Sequence, residues 1–353
     1  MKRWMIYGAN GYTGELIARE AVSRGMSPVL GGRSADKIRP LAEELSLEFK
    51  AFPLDEHAAE HLQNIELVLH CAGPFQVTSK PMIQACLSSK TDYLDITGEI
   101  SVFEHTHSQH ALAQKQGIIL CSGVGFDVVP TDCIALKLKE EMPDALELAL
   151  GFDSDSGISP GTFKTMIQGL GSGSMRRREG NLEAVPLGKQ HRNIDFGRGS
   201  RSAMGIPWGD VSTAFYTTGI PNISAWIPMP KPQVYGTRLM GAVLSLLASD
   251  WVKKKLEKQV ENRIKGPDSE DRSKSPAYIW GEAKNLKGVV KVARIKTANV
   301  YDLTVYGSLE IVSRLLVENI EGGYYTPAGL FGPALVENLP DSGRFEIDLF
   351  YPY

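Results

Sequence analysis

Gly8, Gly11 and Gly14 recur at intervals of three in YGANGYTG, residues 7–14, and Arg33 follows about one helix later. Glycines so spaced let a strand turn sharply into a helix and let a diphosphate come close to the backbone. Free N–H groups and the partial positive charge of the helix start then hold the phosphates. Asn10 and Tyr12 stand between the glycines, and Thr13 adds a hydroxyl in the first turn. A glycine run also suits a plain tight turn. Its place behind the first strand of an alternating domain is what favours the phosphate reading.

The arginine selects the ligand. A carboxylate at the end of the second strand accepts hydrogen bonds from the adenosine ribose hydroxyls and repels a 2′-phosphate. A guanidinium does the reverse. Gly31 and Gly32 lead into Arg33 and Ser34, with Lys37 one turn on, while the nearest acid, Asp36, already lies in the next helix. The expected coenzyme is NADP(H); a solvated surface arginine is the competing account. HCAGPF, residues 70–75, follows the fourth strand. Its Ala72, Gly73, Pro74 and Phe75 suit the nicotinamide side of the coenzyme, although a simple turn uses the same residues.

Two more stretches should reach the same sheet edge, DYLDITGE with Tyr93, Asp95, Thr97 and Glu99, and GVGFDVVPTD with Gly123, Gly125, Phe126, Asp127, Thr131 and Asp132. Asp127, Asp95 and Tyr93 are the candidate catalytic residues, able to orient a substrate or relay a proton. The acids also have structural uses: Asp127 and Asp132 lie where a helix start favours negative charge, and Asp95 suits a turn. No lysine has a tyrosine four positions before it, so the proton-donating pair of short-chain dehydrogenases is missing.

His105, His107 and His110 are not spaced for a metal and read as a helix surface, so no metal is expected. His70 beside the HCAGPF loop either contacts ribose or is packed. Arg176, Arg177 and Arg178, with Arg198 and Arg201, form a basic cluster that either holds a substrate anion or is a solvated face. For an oxyanion formed during reduction, the candidate donors are the backbone N–H groups of 123–127 or the Arg176–Arg178 cluster.

Elements that position these residues follow from periodicity. Apolar runs at 3–7, 28–31, 47–52, 66–71, 92–96 and 118–121 alternate with helical patterns near 13–25, 35–45, 56–63, 79–89 and 101–116. A further helix starts at VPTDCIALKLKEE. This predicts an α/β fold, a Rossmann-type doubly wound parallel sheet. After residue 144 the texture changes to strand-like ALELALGFD, STAFYTTG, ISAWIPM, PAYIWGEAKNL and GVVKVARIKTA, with helical patterns at 238–265 and 301–320. That is the pattern of an inserted α+β substrate domain. The expected division is a dinucleotide-binding domain over 1–143, completed by 326–353, and a substrate or dimerisation domain over 144–325. GPDSEDRSKS, 266–275, reads as a mobile loop.

The 353 residues, 42% hydrophobic and 22% charged with net charge −3, suit two globular domains and give no pull towards nucleic acid. Cys71, Cys86, Cys121 and Cys133 are scattered without a C-x-x-C pair and read as reduced structural thiols. MKRWMIYG enters a strand directly, so a cytoplasmic protein without signal peptide is expected. RLMGAVLSLLASDWV, 238–252, is half the length of a membrane span; a buried helix explains it more simply than lipid contact.

Together YGANGYTG, GGRS, CAGPF, YLDITGE, GVGFDVVPTD and YYTPAGLFG resemble the saccharopine dehydrogenase-like oxidoreductases, nearest to the branch containing trans-acting enoyl reductases. The likeness runs over 1–135, thins, and returns at 320–335. It implies a Rossmann domain with an inserted α+β domain, NADP, coenzyme contacts at Gly8, Gly11, Gly14 and Arg33, nicotinamide-side contacts at Gly73 and Pro74, and Asp127 near the active cleft. The expected activity is hydride transfer between nicotinamide and a small-molecule substrate, enoyl, carbonyl or imine, acyl or amino acid in kind, held in a cleft between the domains. A homodimer is compatible. A non-catalytic NADP-binding redox sensor or scaffold is the alternative.

Overall fold

The computed structural model of the protein describes residues 2–157, 173–234, 236 and 266–351. The chain divides into two compact units, Met1–Val129 with Tyr301–Leu330, and Pro130–Val300 with Phe331–Tyr353.

In the first unit strands and helices alternate as β1 (Trp4–Tyr7), α1 (Tyr12–Ser23), β2 (Val29–Gly32), α2 (Ala35–Leu45), β3 (Phe49–Ala51), α3 (Ala58–His61), β4 (Leu67–His70), α4 (Phe75–Ser89), β5 (Asp92–Asp95), α5 (Ile100–Ser108), α6 (His110–Gln116) and β6 (Ile119–Ser122). The sheet order is β3-β2-β1-β4-β5-β6, extended beyond β6 by the short β15 (Gly323–Tyr324), and every pairing is parallel. This is the doubly wound Rossmann order. The strands are apolar along their whole length because both faces are covered. Met5, Tyr7, Val68, Tyr93 and Leu120 form one buried face with Met82, Ile83 and Cys86 of α4. α1 buries Gly14, Ile17, Ala18 and Ala21, the i, i+3, i+4, i+7 stripe of an amphipathic helix.

Two boundaries differ from the sequence pattern. α4 begins at Phe75, directly after Pro74, because Glu99 supplies a carboxylate to its first N–H groups. The pattern over 101–116 is two helices, broken at Gln109.

The second unit starts with α7 (Val129–Glu141) and β7 (Ala145–Ser154). It continues through β8 (Ser174–Arg178), β9 (Asn181–Val185), β10 (His191–Asp195), β11 (Ser200–Ile206), α8 (Asp210–Thr218), β12 (Asn222–Pro228), α9 (Ser269–Lys274), β13 (Ala277–Asn285) and β14 (Val290–Thr297). The chain then returns to the first unit with α10 (Val300–Leu315) and α11 (Pro327–Phe331), and ends in the second with α12 (Ala334–Glu337) and β16 (Glu346–Phe350). The mixed sheet runs β10-β11-β12-β7-β13-β14-β16, with β8 pairing β12 and β9; β12 and β7 are parallel, the other pairs antiparallel. The fold is therefore α/β, a Rossmann sheet carrying an α+β insertion.

Three local expectations change here. STAFYTTG is helix, not strand: Gly209 precedes it, Gly219 at φ +68° ends it, and Thr218 bonds its hydroxyl back to the Ala214 carbonyl at 2.6 Å. Residues 266–275 contain α9, capped by the Asp268 carboxylate, which accepts from the Asp271 N–H at 2.9 Å. Of the tail 326–353, expected with the first domain, Glu346–Phe350 forms an edge strand on β14 of the second sheet. The helical pattern 238–265 lies outside the described residues, and with it the lipid question at 238–252. Among the described residues no helix is long and apolar enough to cross a membrane.

Candidate active site

The carboxyl ends of the first unit's parallel strands bring the loops 8–11, 33–34, 71–74, 96–99 and 123–128 to one edge. Ligands bind at that edge in open α/β sheets. Gly8 has φ +93°, and a Cβ on it would stand 2.7 Å from the Ala72 nitrogen and 2.8 Å from the Cys71 carbonyl carbon. A Cβ on Gly14 would strike the Gly8 carbonyl. Glycine is required at both: the first turn and the first helix must touch, and the β4 loop crowds behind them. Gly11 is the exposed N-cap of α1, with no side chain capping that end. The first-turn N–H groups thus face outwards beside Asn10 and Thr13, as a diphosphate requires. Tyr12 lays its ring edge-on against Tyr301, 5.1 Å between centroids.

At the end of β2, Gly31 leaves room for the Met5 sulfur, which would lie 2.8 Å from a Cβ; that glycine serves packing. Arg33 is exposed, and among the described residues its guanidinium has no carboxylate partner. Ser34 is the N-cap of α2, again without a side-chain cap bond, and the exposed Lys37 lies in the first turn. Two exposed cations and a second helix start without a side-chain cap thus follow one another at the end of β2. They fit a phosphate beyond the adenosine ribose.

Ala72 and Gly73 are accessible after β4, and Pro74 and Phe75 open α4. His70, fully buried at the strand end, puts Nε2 3.0 Å from the Thr78 hydroxyl, which itself lies 2.7 Å from the Ala72 carbonyl. Thr78 has one proton and the carbonyl needs it, so Nε2 carries the imidazole hydrogen. Burial pushes His70 down to about 3, so it stays neutral. It is packed beneath the loop rather than exposed to ribose.

Asp95 is buried and accepts four bonds: from the Tyr93 hydroxyl at 2.8 Å, the Ser122 hydroxyl at 2.8 Å, the Gly123 N–H at 2.9 Å and the Thr97 N–H at 3.0 Å. Burial raises its carboxyl, and those donors work against the rise. Tyr93 and Asp95 thus tie β5, β6 and their loops together. This placement suits holding the edge in shape.

Asp127 differs. By surface area it is half-buried, yet protein surrounds its carboxyl closely, and burial raises it to about 7, with the charge of Glu99 adding. Its carboxylate rests on Gly98, where a Cβ would stand 2.7 Å from Oδ2. Glu99 is buried too. Its two oxygens accept the Phe75 N–H at 3.2 Å and the Gln76 N–H at 2.8 Å, and burial lifts it to about 7 against those bonds. The sequence named Glu99 without a role. Its partners lie 23 and 24 residues away, so no local signal marks it.

The proposed oxyanion donors are largely spent. Gly123 and Val124 donate to the Asp95 carbonyl at 2.9 and 2.8 Å, and Phe126 to the Thr304 hydroxyl at 3.0 Å. Arg176 to Arg178 lie on one strand, so they alternate faces instead of clustering. Arg176 pairs with Glu183 at 2.8 Å. Arg177 is buried, with Nε 2.7 Å from the Val211 carbonyl and its guanidinium 4.2 Å from the Phe215 ring centre. Arg198 and Arg201 both face the buried Asp153. In the histidine stretch, His110 Nδ1 accepts the Tyr324 N–H at 3.0 Å, and His107 packs edge-on to the Tyr324 ring.

Residues 4–121 match the family model of the saccharopine dehydrogenase NADP-binding domain. This part of the chain is similar to that domain, and NADP is the coenzyme the match points to. The motif resemblance therefore holds over residues 4–121. A saccharopine dehydrogenase-like oxidoreductase of Rattus norvegicus is 28% identical over 214 residues, 52% of this chain and 50% of that protein. A trans-acting enoyl reductase of Mycobacterium leprae is 32% identical over 146 residues, 38% of this chain and 34% of that one. The chain thus spans about half or less of the length of these curated relatives. In fold it is similar to the apo, L-Glu-forming saccharopine dehydrogenase of Saccharomyces cerevisiae, with a TM-score of 0.66 at 10% identity over 99% of this chain and all of the other.

Proposed function

We propose that the protein is an NADP(H)-dependent oxidoreductase acting on an enoyl, carbonyl or imine group, with Asp127 as proton donor. Bound NADP supplies or takes up the hydride. The open start of α1 with Asn10, Gly11, Tyr12 and Thr13 holds the diphosphate, while Arg33, Ser34 and Lys37 hold the ribose phosphate. Ala72, Gly73, Pro74 and Phe75 form the wall beside the reacting ring. Tyr93 and Asp95 keep the edge rigid, so the donor does not shift during reaction.

The supporting observation is one sheet edge that carries an anion cradle and, at Asp127, a carboxyl that keeps its proton to about pH 7. An acid poised near neutrality can give a proton to the oxygen, nitrogen or carbon that becomes electron-rich as hydride arrives. It also supplies what the absent tyrosine–lysine pair would have done. The mycobacterial relative's name, enoyl reductase, favours a conjugated acyl substrate among the three classes.

Fluorescence titration with NADPH and NADH, followed by NADPH oxidation over a panel of enoyl, carbonyl and imine compounds, tests this. Tighter binding of NADPH with turnover of one class is expected. Tight binding without turnover across the panel would instead identify a redox sensor.

A further inference from the structure

We infer that His70 and Thr78 are positioning residues: together they turn the Ala72–Gly73 peptide so that the Gly73 N–H stands outward as a hydrogen-bond donor to an oxygen on the nicotinamide half of the coenzyme. The inference rests on the reading of residues 72–75 as the wall beside that half.

Three observations lead there. The first is the peptide itself. The Thr78 hydroxyl donates to the Ala72 carbonyl at 2.7 Å, and among the described residues no other group donates to that oxygen. The Ala72–Gly73 peptide is trans, so its carbonyl and its N–H point in opposite directions. Holding the Ala72 oxygen against α4 therefore sends the Gly73 N–H the other way, to the side where Gly73 is exposed. That N–H has no acceptor among the described residues.

The second is how the hydroxyl is held. The Pro74 carbonyl also lies 3.1 Å from it, but that oxygen already takes the Val77 and Thr78 N–H groups. His70 Nε2 donates to the hydroxyl oxygen at 3.0 Å, and the one hydroxyl proton goes to the Ala72 carbonyl, the nearer acceptor.

The third is the choice of histidine. His70 is fully buried among the rings of Tyr7, Phe75 and Tyr93, with centroids 5.6, 5.4 and 6.2 Å away, and its Nδ1 has no hydrogen-bond partner. A stranded buried acceptor costs stability, and a phenyl ring would fill the same space without one. What a phenyl ring lacks is the Nε2–H that holds Thr78.

The test is calorimetric titration of the full chain with NADPH and, separately, with adenosine 2′,5′-bisphosphate, which lacks the nicotinamide half. Thr78→Val keeps the shape and removes the hydroxyl. It should weaken NADPH binding about 10-fold while the bisphosphate changes by less than about 2-fold. Thr78→Ser should restore NADPH binding. His70→Phe should weaken NADPH about 3- to 10-fold without lowering the melting temperature, and His70→Gln, which keeps an N–H donor, should recover much of that loss. If the variants fold poorly the wild type serves: its Gly73 amide proton resonance should move downfield with NADPH and stay in place with the bisphosphate. Unchanged NADPH affinity in Thr78→Val and His70→Phe, an equal loss of both ligands, or an unmoved Gly73 amide would overturn the inference and leave the coenzyme reading intact. The expected effects without turnover of any substrate would sink the oxidoreductase reading alone, and a wild type that binds neither ligand would sink both.

Discussion

Gly8 stands against Ala72 so closely that a Cβ on the glycine would lie 2.7 Å from the alanine's backbone nitrogen. The phosphate turn and the loop of the expected nicotinamide wall are therefore one packed object. Gly8→Ala adds both that clash and a left-handed φ of +93° for an alanine. It should cost about 1–3 kcal/mol in stability and weaken NADPH binding at least about 10-fold. Urea melts and fluorescence titration read the two effects. Full NADPH affinity in the variant would show that the turn does not meet the coenzyme.

Arg33 should act on one coenzyme only. Its guanidinium has no carboxylate to release among the described residues, so Arg33→Ala costs charge-assisted bonds to phosphate and little else. NADPH should bind about 10- to 100-fold more weakly, with NADH nearly unchanged, and Arg33→Asp should narrow the gap further. Equal wild-type affinity for the two coenzymes defeats the assignment of Arg33.

Asp127 should make the fold less stable as pH rises. Folded, its carboxyl titrates near about 7; in the unfolded chain an aspartate titrates near about 3.9. Between those values the native state holds a proton that the unfolded state has lost, so stability falls across the window and levels off above it. Asp127→Asn removes this dependence. It should gain about 1–3 kcal/mol on the wild type at pH 8 compared with pH 5. Denaturant midpoints at the two pH values decide it, and a gap that does not widen rejects the raised carboxyl.

Reduction itself should follow the same group with the opposite emphasis. A proton donor works when protonated, so the single-turnover rate should be flat below about pH 7 and fall as pH rises beyond it. Asp127→Asn should slow the step by about 100-fold or more while NADPH affinity changes little. A flat profile to about pH 9 would move the donor role elsewhere.

Asp95 should behave as a strut. Asp95→Ala removes the carboxylate shared by the Gly123 and Thr97 N–H groups and the Tyr93 and Ser122 hydroxyls. Gly123 keeps the residue's backbone carbonyl and Ser122 keeps Thr106. The Thr97 N–H and the Tyr93 hydroxyl lose that acceptor, which should cost about 2–4 kcal/mol. Asp95→Asn keeps one oxygen for the Gly123 and Thr97 N–H groups, and its amide can face the Tyr93 and Ser122 hydroxyls, so about 1 kcal/mol is expected. Tyr93→Phe should cost a similar amount. If Asp95→Asn is fully stable and wholly inactive, the residue has a chemical role after all.

Reading the chain alone reached the first sheet almost strand by strand, because continuous apolar runs, helix periodicity and turn residues are local signals. STAFYTTG misled for the same reason. Its threonines and aromatics favour a strand, yet the segment is bracketed by glycines and satisfies its hydroxyls on its own helix carbonyls. The edge strand Glu346–Phe350 alternates only over Glu-Ile-Asp-Leu, too short a run to stand alone, and pairs along β14.

The site divides along the same line. The glycine spacing and Arg33 determined the kind of ligand, since a phosphate cradle needs only a few residues around one turn and their chemistry is written in their types. The surroundings of each acid were decided by tertiary structure alone. Asp95 and Asp127 are the same residue in the sequence. Asp95 holds four donors, the Asp127 carboxylate lies against Gly98 and feels the charge of Glu99, and those surroundings arrive from strands and helices folded in from elsewhere in the chain.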